Sequence, residues 1–390
     1  MPNFMVLRNA AAVRTTSPFE SFGPAISEAP AAPIPQVEVH DISHNEAASL
    51  ADDPQVAAVA IPMPTALIAP LDVGTSAATT NAWGIPAVKA DTSSSTGDGV
   101  VVAVLDTGID KTHPAFAGVT IVEQDFSGSG NGDVVGHGTH CAGTILGRDV
   151  DNTRIGIARG VKKALIGKVL GNNGGGSSEM IFRGIQWALD QGAHVISMSL
   201  GFNFPGMVKL AEDRGMPTEP AVSTALEAYR SNLRFFDALM AMVDAQAAFH
   251  DTAVLVAAAG NESKKPTYSI AVSLPAASRG VVSVAALGQG AGGKFNIAPF
   301  SNNRAQVAAP GVNILSAKVG GGLRTMSGTS MACPHVAGVA ALWWEALRKS
   351  QVRATANLVM SNLLTRARTD VLDPTLTTDD RGSGMITAPQ

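Results

Sequence analysis

From Trp83 onward, short apolar runs alternate with segments whose apolar residues recur every three or four positions. The succession along the chain is VVVAVLD, HGTHCAGTILG, KKALIGKVL, EMIFRGIQWALDQG and HVISMSL. Strands buried on both faces and separated by helical segments are typical of a parallel sheet covered by helices. The pattern therefore predicts an α/β fold with a mostly parallel central sheet and helices on both faces.

The N-terminal part has a different pattern of predicted strands and helices. Residues 4–9 and 36–42 read as short strands, residues 44–53 as a helix and residues 55–62 as another strand, with a Pro-, Ser- and Ala-rich loop over 11–35. The following run, MPTALIAPLDVGTSAATT, has no periodicity. We predict a small α+β domain over residues 1–75 and a larger domain over residues 76–390.

A long amphipathic helix is predicted over residues 220–248, inside the segment 202–254. Its apolar stripe, interpreted as core, consists of Val222, Leu226, Tyr229, Leu233, Phe236, Met240 and Val243. The segment either packs on the fold or widens or covers a cleft, and the stripe favours packing.

Charge excludes some partners. A formal net charge of -4 without a dense Lys/Arg cluster predicts no nucleic-acid partner and no membrane partner. The first twenty residues lack a basic region followed by an apolar run, so we expect a cytoplasmic location. Two cysteines, Cys141 and Cys333, are too few for a disulfide framework.

Ligands bind beyond the carboxyl ends of parallel strands, which makes Asp106, Ser199 and Asn261 candidates. Taken alone, Asp106 is better explained as a residue that caps a turn or helix. His137 opens the helical segment HGTHCAGT, and its distance of three residues from His140 is unlike a zinc-binding pair, which stands four apart with a glutamate. His140 is interpreted as a buried structural histidine.

The strongest signal is SGTSMACPHVAGVAALWW, where a turn of small residues presents Ser330 just before a long apolar helix. A serine in that place could be an ordinary helix cap. The run from Gly328 to Ala332, followed by Pro334 and His335, is too specific for capping alone.

These motifs together resemble the subtilase family of serine proteases. Asp106 stands in DTG, His137 in HGTH, Asn261 in AAGN and Ser330 in GTSMA, in the chain order Asp, His, Ser. The resemblance covers about residues 83–390, and the N-terminal unit resembles the family's propeptide. It implies a serine endopeptidase acting through an acyl-enzyme, with a triad of Asp106, His137 and Ser330 and an oxyanion donor from Asn261.

The resemblance also implies a substrate groove. An extended peptide would add as a strand between Gly174, Gly175 and Gly176 on one side and Ser199, Leu200 and Gly201 on the other. Ser178 corresponds to a wall of the fourth subsite and Glu262 to the rim of the first. Because strand addition reads the backbone, we expect broad specificity, with apolar and basic residues accepted before the cut bond.

Some residues depart from the family pattern. Ala115 replaces an aspartate that ligates calcium in many subtilisins, so a structural calcium site is incomplete there. Asp149, Asp151 and Asn152 could bind calcium or form a solvated turn. Catalysis itself needs no cofactor. Cys141 and Cys333 are interpreted as small buried residues, with thiol-sensitive activity as the alternative.

Three functions stay open. The first is a broad endopeptidase made as a self-inhibited zymogen, whose substrates are polypeptides and whose partner is its own propeptide. The second, a dedicated processing protease or peptide ligase, would use the same catalytic residues. The third is a catalytically silent peptide-binding protein that its N-terminal domain plugs.

Overall fold

A computed structural model describes residues 3–10, 33–71 and 82–390. The strands are β1 (Asn3–Asn9), β2 (Pro35–Asp41), β3 (Val56–Ala60), β4 (Pro64–Leu67), β5 (Val101–Asp106), β6 (Thr120–Asp125), β7 (Lys163–Lys168), β8 (Gly175–Ser177), β9 (Val195–Met198), β10 (Leu200–Phe202), β11 (Val254–Ala258), β12 (Val281–Gln289), β13 (Phe295–Ile297), β14 (Val307–Pro310), β15 (Ile314–Ala317) and β16 (Leu323–Met326). The helices are α1 (His44–Ala51), α2 (Gly84–Ala87), α3 (His137–Leu146), α4 (Ser178–Asp190), α5 (Phe204–Asp213), α6 (Thr218–Gln246), α7 (Thr329–Lys349), α8 (Ala356–Thr365) and α9 (Thr378–Arg381).

The central sheet has the strand order β13-β12-β11-β9-β5-β7-β6, with β14 also paired to β12. Every pair is parallel except β12 with β13. Alternating residues of β5 point to opposite cores: Val102 and Val104 to one, Ala103 and Leu105 to the other. The predicted fold class is thus confirmed, and burial on both faces explains why β5 is a continuous apolar run.

Helices cover the two faces of this sheet. The core on the first face includes residues of α3 and α7, such as Ile145 and Val339. The core on the second face includes Phe182 of α4 with Phe235 and Phe236 of α6, whose rings lie 4.3 and 4.4 Å from that of Phe182. Within the described ranges, no helix is long and apolar enough to cross a membrane.

The N-terminal unit forms a separate antiparallel sheet in the order β2-β1-β3, with α1 beside it. Met5 and Leu7 of β1 are fully buried and belong to the same core as α4 and α6. The loop predicted over 11–35 falls mostly, and the predicted domain boundary at 75/76 entirely, outside the described residues.

The long helix predicted over 220–248 is α6, but its stripe is only partly core. Val222 and Leu226 are 39% and 49% exposed, whereas Phe236, Met240 and Val243 are buried. The first half of α6 instead buries small residues, Ala221, Ala225 and Ala228. The expectation of packing is correct only for the second half, because the first half of the apolar stripe faces away from the protein.

A third sheet consists of β10, β4 and β8. Strand β4 stands between β8 and β10 and pairs with both in antiparallel register, Ala66 opposite Gly175 on one side and Gly201 on the other. This sheet joins the N-terminal unit to the larger domain through main-chain hydrogen bonds.

Candidate active site

Asp106 and His137 meet where β5 ends and α3 begins. His137 Nδ1 lies 2.8 Å from Asp106 Oδ1 and 3.0 Å from Oδ2, and both side chains are buried. The amide of Thr107 also donates to Asp106 Oδ1 at 2.7 Å. A carboxylate held in this way fixes the histidine tautomer, with Nδ1 carrying the proton and Nε2 free to accept one.

Ser330 is the second residue of α7 and is fully buried. Its Oγ donates to the carbonyl oxygen of Ile68 at 3.0 Å. Among the described residues, His137 Nε2 has no hydrogen-bond partner. The hydroxyl that we predict as the nucleophile is therefore turned toward the N-terminal segment rather than toward the histidine.

Asn261 follows β11 across Gly260, whose φ is 109°. A Cβ on Gly260 would come within 2.4 Å of side-chain atoms of Asn302 and Glu262, so this turn requires glycine. Asn261 Oδ1 accepts from the amide and hydroxyl of Thr329, both at 2.9 Å. Its Nδ2 consequently faces the cleft, where it donates to the carbonyl of Ala69 at 3.0 Å.

Asp133, which the sequence reasoning missed, ties these elements together. Its carboxylate is 7% exposed and accepts from the Thr107 hydroxyl, the amides of Val135, Gly136 and Thr139, and the Thr139 hydroxyl at 2.7–3.0 Å. Thr107 Oγ1 in turn accepts from the amide of Gly138 at 3.0 Å. One feature of the sequence could have indicated this residue: Asp133 is an acid four positions before His137, which begins α3.

The residues predicted for the substrate groove lie on both sides of the chain's own β4. Leu67 donates to the carbonyl of Gly174 at 2.9 Å, Gly176 pairs with Thr65, and Leu200 pairs with Leu67.

The side chains of three other predicted residues bond to groups of the protein itself. Ser199 Oγ donates to the carbonyl of Ser330 at 3.1 Å. Ser178 is buried and accepts from the amide of Met63 at 2.9 Å. Glu262 is exposed, and its Oε2 accepts from Asn302 Nδ2 at 2.6 Å.

His140 is fully buried, and its Nε2 donates to the carbonyl of Ile314 at 3.0 Å. Burial, followed by the neighbouring His137, lowers the pKa of His140 to about 3. It is therefore neutral near pH 7, which fits a structural role.

Both cysteines are buried and unpaired. Burial, with the charge of Asp106, raises the pKa of Cys141, and burial raises that of Cys333 to about 11. Cys141 Sγ lies 3.8 Å from His137 Nδ1. Within the described part of the chain, Asp106, His137 and Cys141 are the one group of three such ligand atoms close enough to share a metal ion, but the carboxylate and imidazole are hydrogen-bonded to each other.

The loop considered for calcium is a tight turn. Asp151 and Asn152 have φ values of 48° and 61°, and Val150 pairs with Thr153 across them. Asp149 lies 3.8 Å from Arg159. Calcium takes six to eight oxygen ligands, more than the side-chain oxygens of Asp149, Asp151 and Asn152 supply.

Comparison with known proteins places this geometry in context. The sequence model of the Subtilase family matches residues 97–384. The chain is 34% identical over 297 residues to Subtilisin DY of Bacillus licheniformis, covering 72% of this chain and 92% of the relative. It is 33% identical over 314 residues to Subtilisin Savinase of Lederbergia lenta, covering 78% and 96%. To an Intracellular serine protease of Paenibacillus polymyxa it is 34% identical over 253 residues, covering 63% and 67%.

Proposed function

Because the chain belongs to the subtilase family and is a serine endopeptidase that needs no cofactor for catalysis, we propose that Asp106, His137 and Ser330 are its triad. We further propose that it is made as a zymogen inhibited by its own N-terminal unit. Its substrates are polypeptides, and its specificity is broad because the groove recognises main-chain atoms.

In the proposed reaction, Ser330 Oγ attacks the substrate carbonyl carbon and His137 Nε2 takes the hydroxyl proton. Asp106 holds the imidazole and stabilises its cation. The negative charge that develops on the carbonyl oxygen is met by Asn261 Nδ2 and by the amide of Ser330 at the N-terminus of α7. His137 then gives the proton to the leaving amine, and water hydrolyses the acyl-enzyme with the same residues.

One observation carries the zymogen proposal: the N-terminal segment occupies the cleft without being poised for attack. Ser330 Oγ donates to the carbonyl of Ile68, whereas Asn261 Nδ2 donates to the next carbonyl, that of Ala69. Attack requires both groups at the same carbonyl. The bound segment is therefore a slow substrate, which is the property that an internal inhibitor needs.

Contacts outside the cleft support the same proposal. Val37 of β2 donates to Gln186 of α4 at 2.8 Å, and the carbonyl of Ile61 accepts from Asn232 of α6 at 2.8 Å. The N-terminal unit thus rests on two helices of the larger domain as well as in the groove.

Incubation of the purified full chain tests both proposals. We expect the wild-type protein to cut itself near residues 68–70 and then to hydrolyse casein, while Ser330→Ala stays full length and inactive. Ser361→Ala, a change at an exposed serine of α8, serves as the matched control and should behave like the wild type. Mass spectrometry identifies the cut.

Identical full-length masses for the wild type and Ser330→Ala would contradict self-processing. If such protein also left casein intact, the silent peptide-binding alternative would replace the triad proposal. A dedicated processing protease would cut itself but leave casein intact, which separates it from the broad endopeptidase.

A further inference from the structure

We propose that Arg324 gives this endopeptidase a preference for substrates with an acidic side chain at the second or third residue after the cut bond. The inference rests on the proposed function, since it takes residues 64–71 as marking the path of a substrate.

The path beyond the nucleophile is fixed by one main-chain hydrogen bond. After Ile68, whose carbonyl meets Ser330, the chain runs to Leu71, whose amide donates to the carbonyl of Ser327 at 2.8 Å. This brings it beside strand β16. A cavity of about 190 Å³ opens there, lined by Leu67, Pro70, Leu71, Val135, His137, Arg324, Thr325 and Met326.

The hydrogen bonds of Ser330 to Ile68 and of Asn261 to Ala69 leave two possible cut bonds, and each fixes which residues follow the cut. If the Ile68–Ala69 bond is the one attacked, Pro70 and Leu71 are the second and third residues after it. If Ala69–Pro70 is attacked, Leu71 is the second. The second residue after the cut therefore lines this cavity in either register.

The main chain of Arg324 is held in place by hydrogen bonds, and its side chain extends from it. It pairs with Ser316 across the β15–β16 hairpin, and its carbonyl accepts from His140 Nε2 at 3.3 Å. Its side chain is exposed, with Nη1 3.7 Å from the place that a Cβ on Gly136 would take. The guanidinium thus stands at the mouth of the cavity, next to the start of α3.

This charge has no counterpart among the described residues, where Arg324 makes neither an ion pair nor a side-chain hydrogen bond. Nearby acids are already engaged: Asp110 accepts from Thr112 and Gly320, Glu123 pairs with Lys111, and Asp133 has its own donors. Apart from His137, the other side chains around the cavity are apolar or neutral. A guanidinium on an otherwise uncharged wall complements a carboxylate.

The chain's own sequence carries such a group near this point. Asp72 follows Leu71 directly and is the one acidic residue between Asp53 and Asp91. Its placement lies outside the described residues, so the inference depends on Arg324 and the cavity alone.

The experiment uses the self-processed enzyme and quenched fluorescent peptides that share one sequence before the cut. Each carries Asp, Asn or Lys at one of the first four positions after it. We expect kcat/KM for Asp to exceed that for Asn by about three- to fivefold at the second or third position, the range of an exposed ion pair. The preference should vanish in about 1 M salt, where the Debye length is about 3 Å.

Two variants and a matched control assign the effect. Arg324→Gln should bring the Asp-to-Asn ratio to one, and Arg324→Glu should shift the preference to Lys. Lys318→Gln removes an exposed charge from the same hairpin without lining the cavity, and should keep the wild-type ratio.

A wild-type Asp-to-Asn ratio of one at both positions would overturn the inference, as would an equal loss of preference in Lys318→Gln and Arg324→Gln. If the Arg324 variants do not fold, the salt dependence of the wild-type ratio decides alone. Failure to cleave any peptide would instead count against the proposed function, and the inference would fall with it.

Discussion

Asp133 is a buried carboxylate that holds the elements around Asp106 and His137, the pair proposed as catalytic, without bonding to either side chain. Its negative charge is compensated by five hydrogen-bond donors, three of them amides at or just before the first turn of α3. Through Thr107 and Gly138 it joins the loop that carries Asp106 to the helix that carries His137. We interpret it as a positioning residue for the two.

Replacing Asp133 by Asn keeps the shape but turns one acceptor into a donor that faces other donors. We expect Asp133→Asn to lower kcat by about 10- to 100-fold with little change in KM, because a small displacement of a catalytic group has an effect of that size. Steady-state kinetics of the processed enzyme measure it. The control is Asp110→Asn, in the loop after β5, where the carboxylate accepts from Thr112 and Gly320; equal kcat values for the two variants would show that Asp133 has no such role.

At this scale, the sequence was informative wherever chemistry restricts the residue type. Ser330, His137 and Asp106 stand in motifs whose residue types the proposed reaction requires; the structure joins Asp106 to His137, whereas Ser330 Oγ donates to the carbonyl of Ile68. The orientation of Asn261 could not be predicted, because it depends on Thr329, 68 residues away. Ser199 was predicted for the substrate groove, but its side chain bonds to Ser330 beneath it.

At the scale of elements, helix α6 packs against both the core of the larger domain and the N-terminal unit. The sequence predicts this helix from its apolar periodicity. It does not predict which face of the helix is buried, because strand β3 of the N-terminal unit lies against it. Small residues such as Ala225 and Ala228 permit that approach, while Val222 and Leu226 remain outside. Asn232 lies in the middle, fully buried, with Nδ2 donating to the carbonyl of Ile61.

Asn232→Ala should weaken the hold of α6 on the N-terminal unit. Without the donor, the Ile61 carbonyl loses this hydrogen bond, at a cost of about 0.5–1.5 kcal/mol. We expect active enzyme to appear about 10-fold sooner during incubation of the full chain. Ser231→Ala, whose hydroxyl bonds only to a carbonyl of its own helix in the described structure, is the control. An unchanged lag in Asn232→Ala would be incompatible with this function of α6.

For the whole molecule, the order of strands and helices and the parallel sheet followed from the sequence, since apolar period and segment length decide them. The third sheet has the strand addition that the family resemblance implied for a peptide in the groove, but its middle strand β4 has no periodicity of its own and pairs with partners more than a hundred residues away. Glu345 of α7 makes a similarly distant connection. Its buried carboxylate accepts from the amides of Thr96, Gly97 and Asp98, and it pairs with Lys349.

This connection makes stability depend on pH. Burial alone would raise the pKa of Glu345, but the bonds from Lys349 and the three amides outweigh it and lower the pKa below the ordinary 4.5. Its contribution to stability is therefore complete above pH 4.5 and is lost as pH falls through the lower, folded-state pKa.

In a Ser330→Ala background, which prevents self-digestion, we expect Glu345→Gln to lower the free energy of unfolding at pH 7 by about 2 kcal/mol. The difference from the parent should shrink at acidic pH, as denaturant titrations will show. A difference of the same size at pH 3 and pH 7 would exclude this carboxylate as the source.

Because β4 belongs to the polypeptide whose groove it fills, the self-inhibition that we propose for the uncut chain would be intramolecular and independent of protein concentration. Diluting the zymogen cannot relieve it, since the local concentration of the blocking strand is set by chain connectivity rather than by the amount of protein. Once the connecting bond is broken, the same contacts obey a dissociation constant. A single cleavage would thus make the inhibition depend on protein concentration, which it does not do in the uncut chain.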